Sequence, residues 1–139
     1  MQPGEQSPLY QNQKTMTRAN IYIKLSDGSN INCVCDSTSA PEQGYFVENL
    51  LLPLLAFNDA DKEILLLNQS CAMHELRTNA DYRYIINLQT KAVHFFGESY
   101  DYQKGKFSIG DNLTERYLDY IENADGLKEK FSQIKSQQI

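Results

Sequence analysis

The sequence predicts an α+β fold, with a mainly antiparallel sheet of two or three hairpins packed against a central kinked helix and two C-terminal helices. Three patterns carry this expectation. Apolar and polar residues alternate with period two over 20–25, 29–35 and 82–96, the signature of strands with one buried face. The window 45–57 is the most apolar in the chain, and only Glu48 and Asn49 in it are clearly polar. Residues 113–134 repeat apolar side chains at helical spacing.

In chain order, residues 1–18 are rich in Gln, Pro and small polar residues and read as a disordered tail, leaving 19–136 as a single domain. The tail has neither the basic nor the apolar region of a secretory signal, and Met16 offers a second possible start of translation. The first hairpin turns at Ser26-Asp27-Gly28. A two-residue loop would put Ile23 opposite Asn32 and mix the faces. A three-residue loop with Gly28 in the left-handed region puts Ile23 opposite Ile31 and Ile21 opposite Cys33, so one face stays apolar.

A helix is expected from about 40 to 57, opened by a capping box between Ser39 and Glu42. Phe46, Leu50, Leu54 and Phe57 form one stripe on it, and Val47, Leu51 and Leu55 an adjacent one, so it is buried on most sides. Pro53 removes the bond to the Asn49 carbonyl and should kink it. Asn58 to Asp61 end the helix, and the short apolar run Ile64 to Leu67 reads as a buried strand. Residues 68–80 read as loop with room for one short strand. In the second hairpin, a turn at Thr90-Lys91 pairs Leu88 with Val93 and Ile86 with Phe95, and Ile85 and Phe96 on the opposite face place it centrally in the sheet. Residues 100–109, interrupted at Lys104-Gly105, add an edge strand. A second capping box, Asn112 with Glu115, opens a helix carrying Leu113, Tyr117, Leu118 and Ile121. After Asp125-Gly126, a last helix carries Leu127, Phe131 and Ile134.

The chain has 139 residues, a formal charge of −5 and a pI near 5.0, so no global field draws it to nucleic acid or anionic lipid. No apolar run approaches the ~20 residues that cross a bilayer. Three cysteines without a disulfide framework fit a reducing compartment, and a cytoplasmic location is expected. No phosphate-cradling glycine loop, nucleophile elbow or zinc-protease motif occurs, and no cofactor is expected.

Two constellations carry possible chemistry. Cys33-x-Cys35 with Cys71-x-x-His74 has the ligand types of a zinc site, but a strand holds Cys33 and Cys35 parallel, roughly 6–7 Å apart, instead of on a knuckle. Cys71 with His74 or His94 as base, oriented by Glu75, has the composition of a thiol nucleophile set. A third feature is a band of tyrosines, Tyr82, Tyr84, Tyr100 and Tyr102, interleaved with Arg77, Arg83, Lys104 and Lys106. Aromatic and basic residues together can stack bases, yet they are also the preferred anchors of protein interfaces. Asp81, Glu98 and Asp101 dilute the positive charge there and argue against nucleic acid. The expected function is therefore a non-catalytic interaction or regulatory domain, binding a protein partner or a second copy through the tyrosine-bearing sheet face or the C-terminal helix. A thiol- or zinc-dependent enzyme built on Cys71 and His74 is the alternative, followed by single-stranded nucleic-acid binding.

Overall fold

The computed structural model describes residues 16–136, so most of the tail expected at 1–18 lies outside the described residues. The chain is α+β, with a six-stranded mixed sheet and four α-helices among the described residues. Strands β1 (Ala19–Lys24) and β2 (Asn30–Cys35) form the first hairpin. Helices α1 (Leu52–Phe57) and α2 (Ala60–Ser70) follow, then the short strand β3 (Ala72–Met73). Strands β4 (Tyr82–Asn87), β5 (Ala92–Asp101) and β6 (Lys106–Asn112) complete the sheet, and α3 (Thr114–Asn123) and α4 (Leu127–Ser136) close the chain. The sheet order is β3-β2-β1-β4-β5-β6, antiparallel except for the central β1–β4 pair. No described helix is long and apolar enough to cross a membrane.

The first hairpin has the register that its alternation requires. Ile23 faces Ile31 and Ile21 faces Cys33, with Gly28 at φ 90° and Leu25 bonded to Ser29 on either side of the turn. The second hairpin differs from expectation by two residues: Ile86 faces Val93 and Tyr84 faces Phe95. The cause is Asn87, whose side-chain oxygen accepts from the backbone of Gln89 and Thr90 and so ends the strand early. Lys91 then adopts φ 65° and turns its ammonium inward, where Nζ donates to the Leu55 carbonyl at 2.8 Å and to the Asn58 side chain. A shift of two keeps every side chain on its intended face.

The central apolar run is helical over 45–57 but is not a uniform α-helix from 40. A 3₁₀ turn at Pro41–Gln43 is followed by Gly44 at φ 88°, a π-helical turn at Phe46–Leu51, and then α1. Pro53 has no N–H to offer the Asn49 carbonyl, and the preceding turn widens: the Leu52 N–H reaches back five residues to Val47. The capping box expected at Ser39 and Glu42 does not form; only half of such a box appears one residue later, where the Gln43 side chain accepts from the Ala40 N–H at 3.0 Å. Glu42 instead pairs with Arg116 of α3 through contacts of 2.7 and 2.8 Å.

Ile64 to Leu67 belongs to α2, which corrects the expected strand. Asn58 caps α1 in the left-handed region, and the Asp59 carboxylate accepts from the backbone of Asp61 and Lys62, which starts a new helix at once. Burial there follows the helical period, since Glu63 and Leu67 are enclosed while Leu65 is 60% exposed. Glu63 is a buried carboxylate with full partnership, accepting from the backbone of Ser26 and Asp59 and from the Ser26 hydroxyl. On α3, Asn112 accepts from the Thr114 N–H, Tyr117 and Ile121 are buried, and Leu118 is left outside.

All the described helices pack on one face of the sheet. The core joins Ala19, Ile21, Ile23, Cys33, Tyr84, Ile86 and Phe95 of that face to Phe46, Leu50, Leu54, Leu67, Tyr117 and Phe131. Phe46 stacks on Tyr84 at 3.9 Å, and the Tyr84 hydroxyl donates to the Ser39 carbonyl at 2.7 Å.

Two outcomes follow. Phe46→Ala should cost about 3–5 kcal/mol, while Leu65→Ala should stay within about 0.5 kcal/mol, read as urea midpoints; equal losses would return 64–67 to a buried strand. Hydrogen bonding to Arg116 holds the Glu42 carboxyl below its ordinary value of 4.5. Its stabilisation is therefore present above that pH and disappears as pH falls through the lowered value. The pair is half-exposed, so the gap between the native protein and Glu42→Gln should be under about 1 kcal/mol at pH 7 and close in acid, as measured by thermal unfolding across pH.

Candidate functional site

The tyrosine band divides between the two faces of the sheet. Tyr82 and Tyr84 point into the helix layer, where Tyr84 is fully buried and Tyr82 packs against Phe95 with the Arg116 guanidinium 5.2 Å above its ring. Arg83 lies on the opposite face and is committed to Glu98, with contacts of 2.9 and 3.2 Å, while stacking on Tyr22 at 4.5 Å. Asn20 joins this cluster by donating to Glu98 and to the Arg77 carbonyl, and it accepts from the Arg77 N–H. These bonds hold residues 75–80 over one end of the helix-free face. Arg77 itself pairs with Asp36 and Glu75. Tyr100 and Tyr102 sit on the β5–β6 hairpin beside exposed Lys104 and Lys106, and Tyr100 makes edge contacts with Tyr102 at 4.8 Å and with Phe107 at 4.7 Å.

The helix-free face is not flat. Between Phe96 and Glu98 the β5–β6 pairing shifts register, and Gly97 and Gly110 lie so close that a side chain on Gly110 would come within 3.0 Å of the Gly97 oxygen. At this bulge the hairpin turns back over the sheet, and the Tyr102 hydroxyl reaches Thr78 at 3.2 Å. Phe107 of β6 thereby shares a concavity of about 550 Å³ with Asn30, Asn32, His74, Glu75 and Leu76, although four places separate β6 from β2 in the sheet. The concavity continues along the sheet over Tyr22, Lys24, Ile85 and Asn87. The side-chain amides of Asn30 and Asn32 make no hydrogen bond to another described residue. Burial pushes the Tyr22 hydroxyl up, with Arg83 opposing.

This groove went largely unread in the sequence, although a signal for it was present. The residues that alternate with the core face in the first hairpin, Tyr22, Lys24, Asn30 and Asn32, form a coherent second face. Ile85 on that face reads as a sign of burial on both sides, but no layer of helices covers it.

The three thiols come together and His74 does not join them. Cys33 and Cys35 face the core from β2, and Cys71 lies where α2 passes into β3, near enough to Cys33 for the two thiols to influence one another. His74 lines the groove on the other face, and exposed His94 stacks near Phe96 at 6.5 Å. No group of three His, Cys, Asp or Glu side chains among the described residues has the arrangement to hold a metal ion. The contact with Cys33, burial and the neighbouring Asp36 all push the Cys71 thiol up. Burial likewise pushes Cys35 up to about 12. The stripe of α4 is packed inward, with Leu127 and Phe131 in the core and Ile134 against it.

A thiol held protonated is a poor nucleophile. Iodoacetamide at neutral pH should therefore label Cys71 in the folded chain more slowly than free cysteine, and labelling faster than free cysteine would restore the thiol-enzyme alternative. Comparison with protein-family models, curated protein sequences and solved structures finds no match to this chain.

Proposed function

We propose that this protein is a non-catalytic interaction domain that takes an extended segment of a protein partner into the groove on its helix-free sheet face. The observation that carries this reading is the concavity between Asn30–Asn32 of β2 and Phe107 of the folded-back hairpin. Its chemistry suits a polypeptide. Asn30 and Asn32 offer amides that bond no other described residue and can bond a peptide backbone, while Ile85, Leu76 and Phe107 offer apolar contact to side chains. Lys24 lines one part of the groove and Glu75, already paired with Arg77, lines another, so no cluster of positive charge offers phosphate a seat. The aromatic trio Tyr100, Tyr102 and Phe107 supplies rigid anchors at the rim. The inward packing of α4 makes the C-terminal helix the less favoured surface.

Panning a random peptide library on the folded chain tests this. Enriched peptides should lose at least about tenfold in affinity, some 1.4 kcal/mol, on Phe107→Ala or Asn32→Ala, and keep it on the control Leu118→Ala. Peptides indifferent to Phe107 and Asn32 would remove the groove. Salt-sensitive binding of single-stranded oligonucleotides, lost on Tyr102→Ala and Lys104→Ala, would put nucleic acid in its place.

A further inference from the structure

The pairing of β2 with β3 brings two cysteines into a geometry that neither strand shows by itself. Cys33 faces Met73 and Val34 faces Ala72, and continuing this antiparallel register one step past the last paired residues sets Cys35 opposite Cys71. Cys71 is extended, with φ −136° and ψ 159°, so it continues the line of β3. The His74 N–H donates to the Asn32 carbonyl, which makes Cys33–Met73 a pair without mutual backbone bonds. Two steps on, Cys35 and Cys71 fall on the same kind of position. Such opposed residues have Cα atoms about 4.5 Å apart, inside the span of a disulfide, roughly 4.4–6.8 Å. Cys33 is the diagonal neighbour of Cys71. Diagonal spacing of about 7–8 Å places it beyond that span.

We propose that Cys35 and Cys71 form an oxidisable pair, closed into a disulfide by exchange with a low-molecular-weight disulfide such as oxidised glutathione. Both cysteines are free thiols, and Cys71 is the accessible one, half-buried where Cys35 is 2% exposed. The Cys71 thiolate attacks one sulfur of the glutathione disulfide, whose S–S bond breaks and releases one glutathione thiolate. The Cys35 thiolate then attacks the Cys71 sulfur of the mixed disulfide and releases the second glutathione. Two protein thiols are oxidised, one glutathione disulfide is reduced to two thiols, and the two cysteine protons pass through solvent to the departing thiolates. Cys33, burial and Asp36 all disfavour the Cys71 thiolate, so exchange is slow at neutral pH and quickens as pH rises. The bond joins the end of β2 to the α2–β3 junction and closes a loop holding both central helices, which restricts the unfolded chain.

The test is incubation of the folded full chain with oxidised glutathione at mildly alkaline pH, followed by acid quench, alkylation and peptide mass mapping. The expected product has lost the mass of two hydrogens, carries a Cys35–Cys71 link and unfolds at a higher temperature than the reduced chain. Cys33→Ser should still form the link, and Cys71→Ser should not. A glutathione adduct persisting on Cys71, a Cys33–Cys71 link, or no reaction in folded protein while the urea-unfolded chain reacts would each overturn the proposal.

Discussion

The stack of Phe46 on Tyr84 is the contact from which the architecture follows. It joins the most apolar stretch of the chain to the centre of the sheet, and the Tyr84 hydroxyl fastens the same junction by donating to Ser39. Side chains of a strand alternate between faces, so once Tyr84 and its neighbours Ile86, Ile21 and Phe95 turn toward this run, every residue between them must turn away. The helices among the described residues all come to the Phe46 side. The face with Tyr22, Asn32 and Ile85 is left without a helical layer, and that imbalance creates the candidate site.

Polar and aromatic groups do on the second face what helices do on the first. Glu98 accepts from both Asn20 and Arg83, Arg83 lies over Tyr22, and Asn20 grips the backbone at Arg77. A buried carboxylate and guanidinium are tolerable here because each meets partners on several sides. The cluster closes one end of the face, and the glycine-permitted bulge at Gly97 and Gly110 folds the β5–β6 hairpin over another part of it. Together they convert an open sheet surface into a groove with a rim.

A comparable division of labour appears around the buried ions. Glu63 and Lys91 carry charges that the core could not hold unpartnered, and each satisfies backbone groups that the turns leave open. Glu63 ties the first hairpin turn to the start of α2, and Lys91 ties the second hairpin turn to the end of α1. Burial disfavours the charged form of Lys91, which its neighbour Glu63 partly offsets. The π-helical turn belongs to the same economy of backbone bonds, since the hydrogen-bond ladder widens where Pro53 cannot donate.

The sequence alone determined the features set by near neighbours. The α+β composition, the three-residue turn at Gly28 with its register, the break at Asp125-Gly126 and the apolar stripe of the last helix all follow from short-range spacing and turn chemistry. Local reading failed where two short-range signals competed. Asn87 bonding to its own turn moved the second hairpin by two residues, and Asp59 capping a new helix overrode the strand-like look of Ile64 to Leu67. Only the tertiary structure decided what lies together across the sheet: which face the described helices cover, that Phe107 and Asn32 line one concavity, that Cys71 lies near Cys33 and in line with Cys35, and that His74 does not join them. Those placements depend on strand order and on the bend of one hairpin. Neither leaves a periodic trace along the chain, because each is settled by which distant surfaces bury most apolar area against one another.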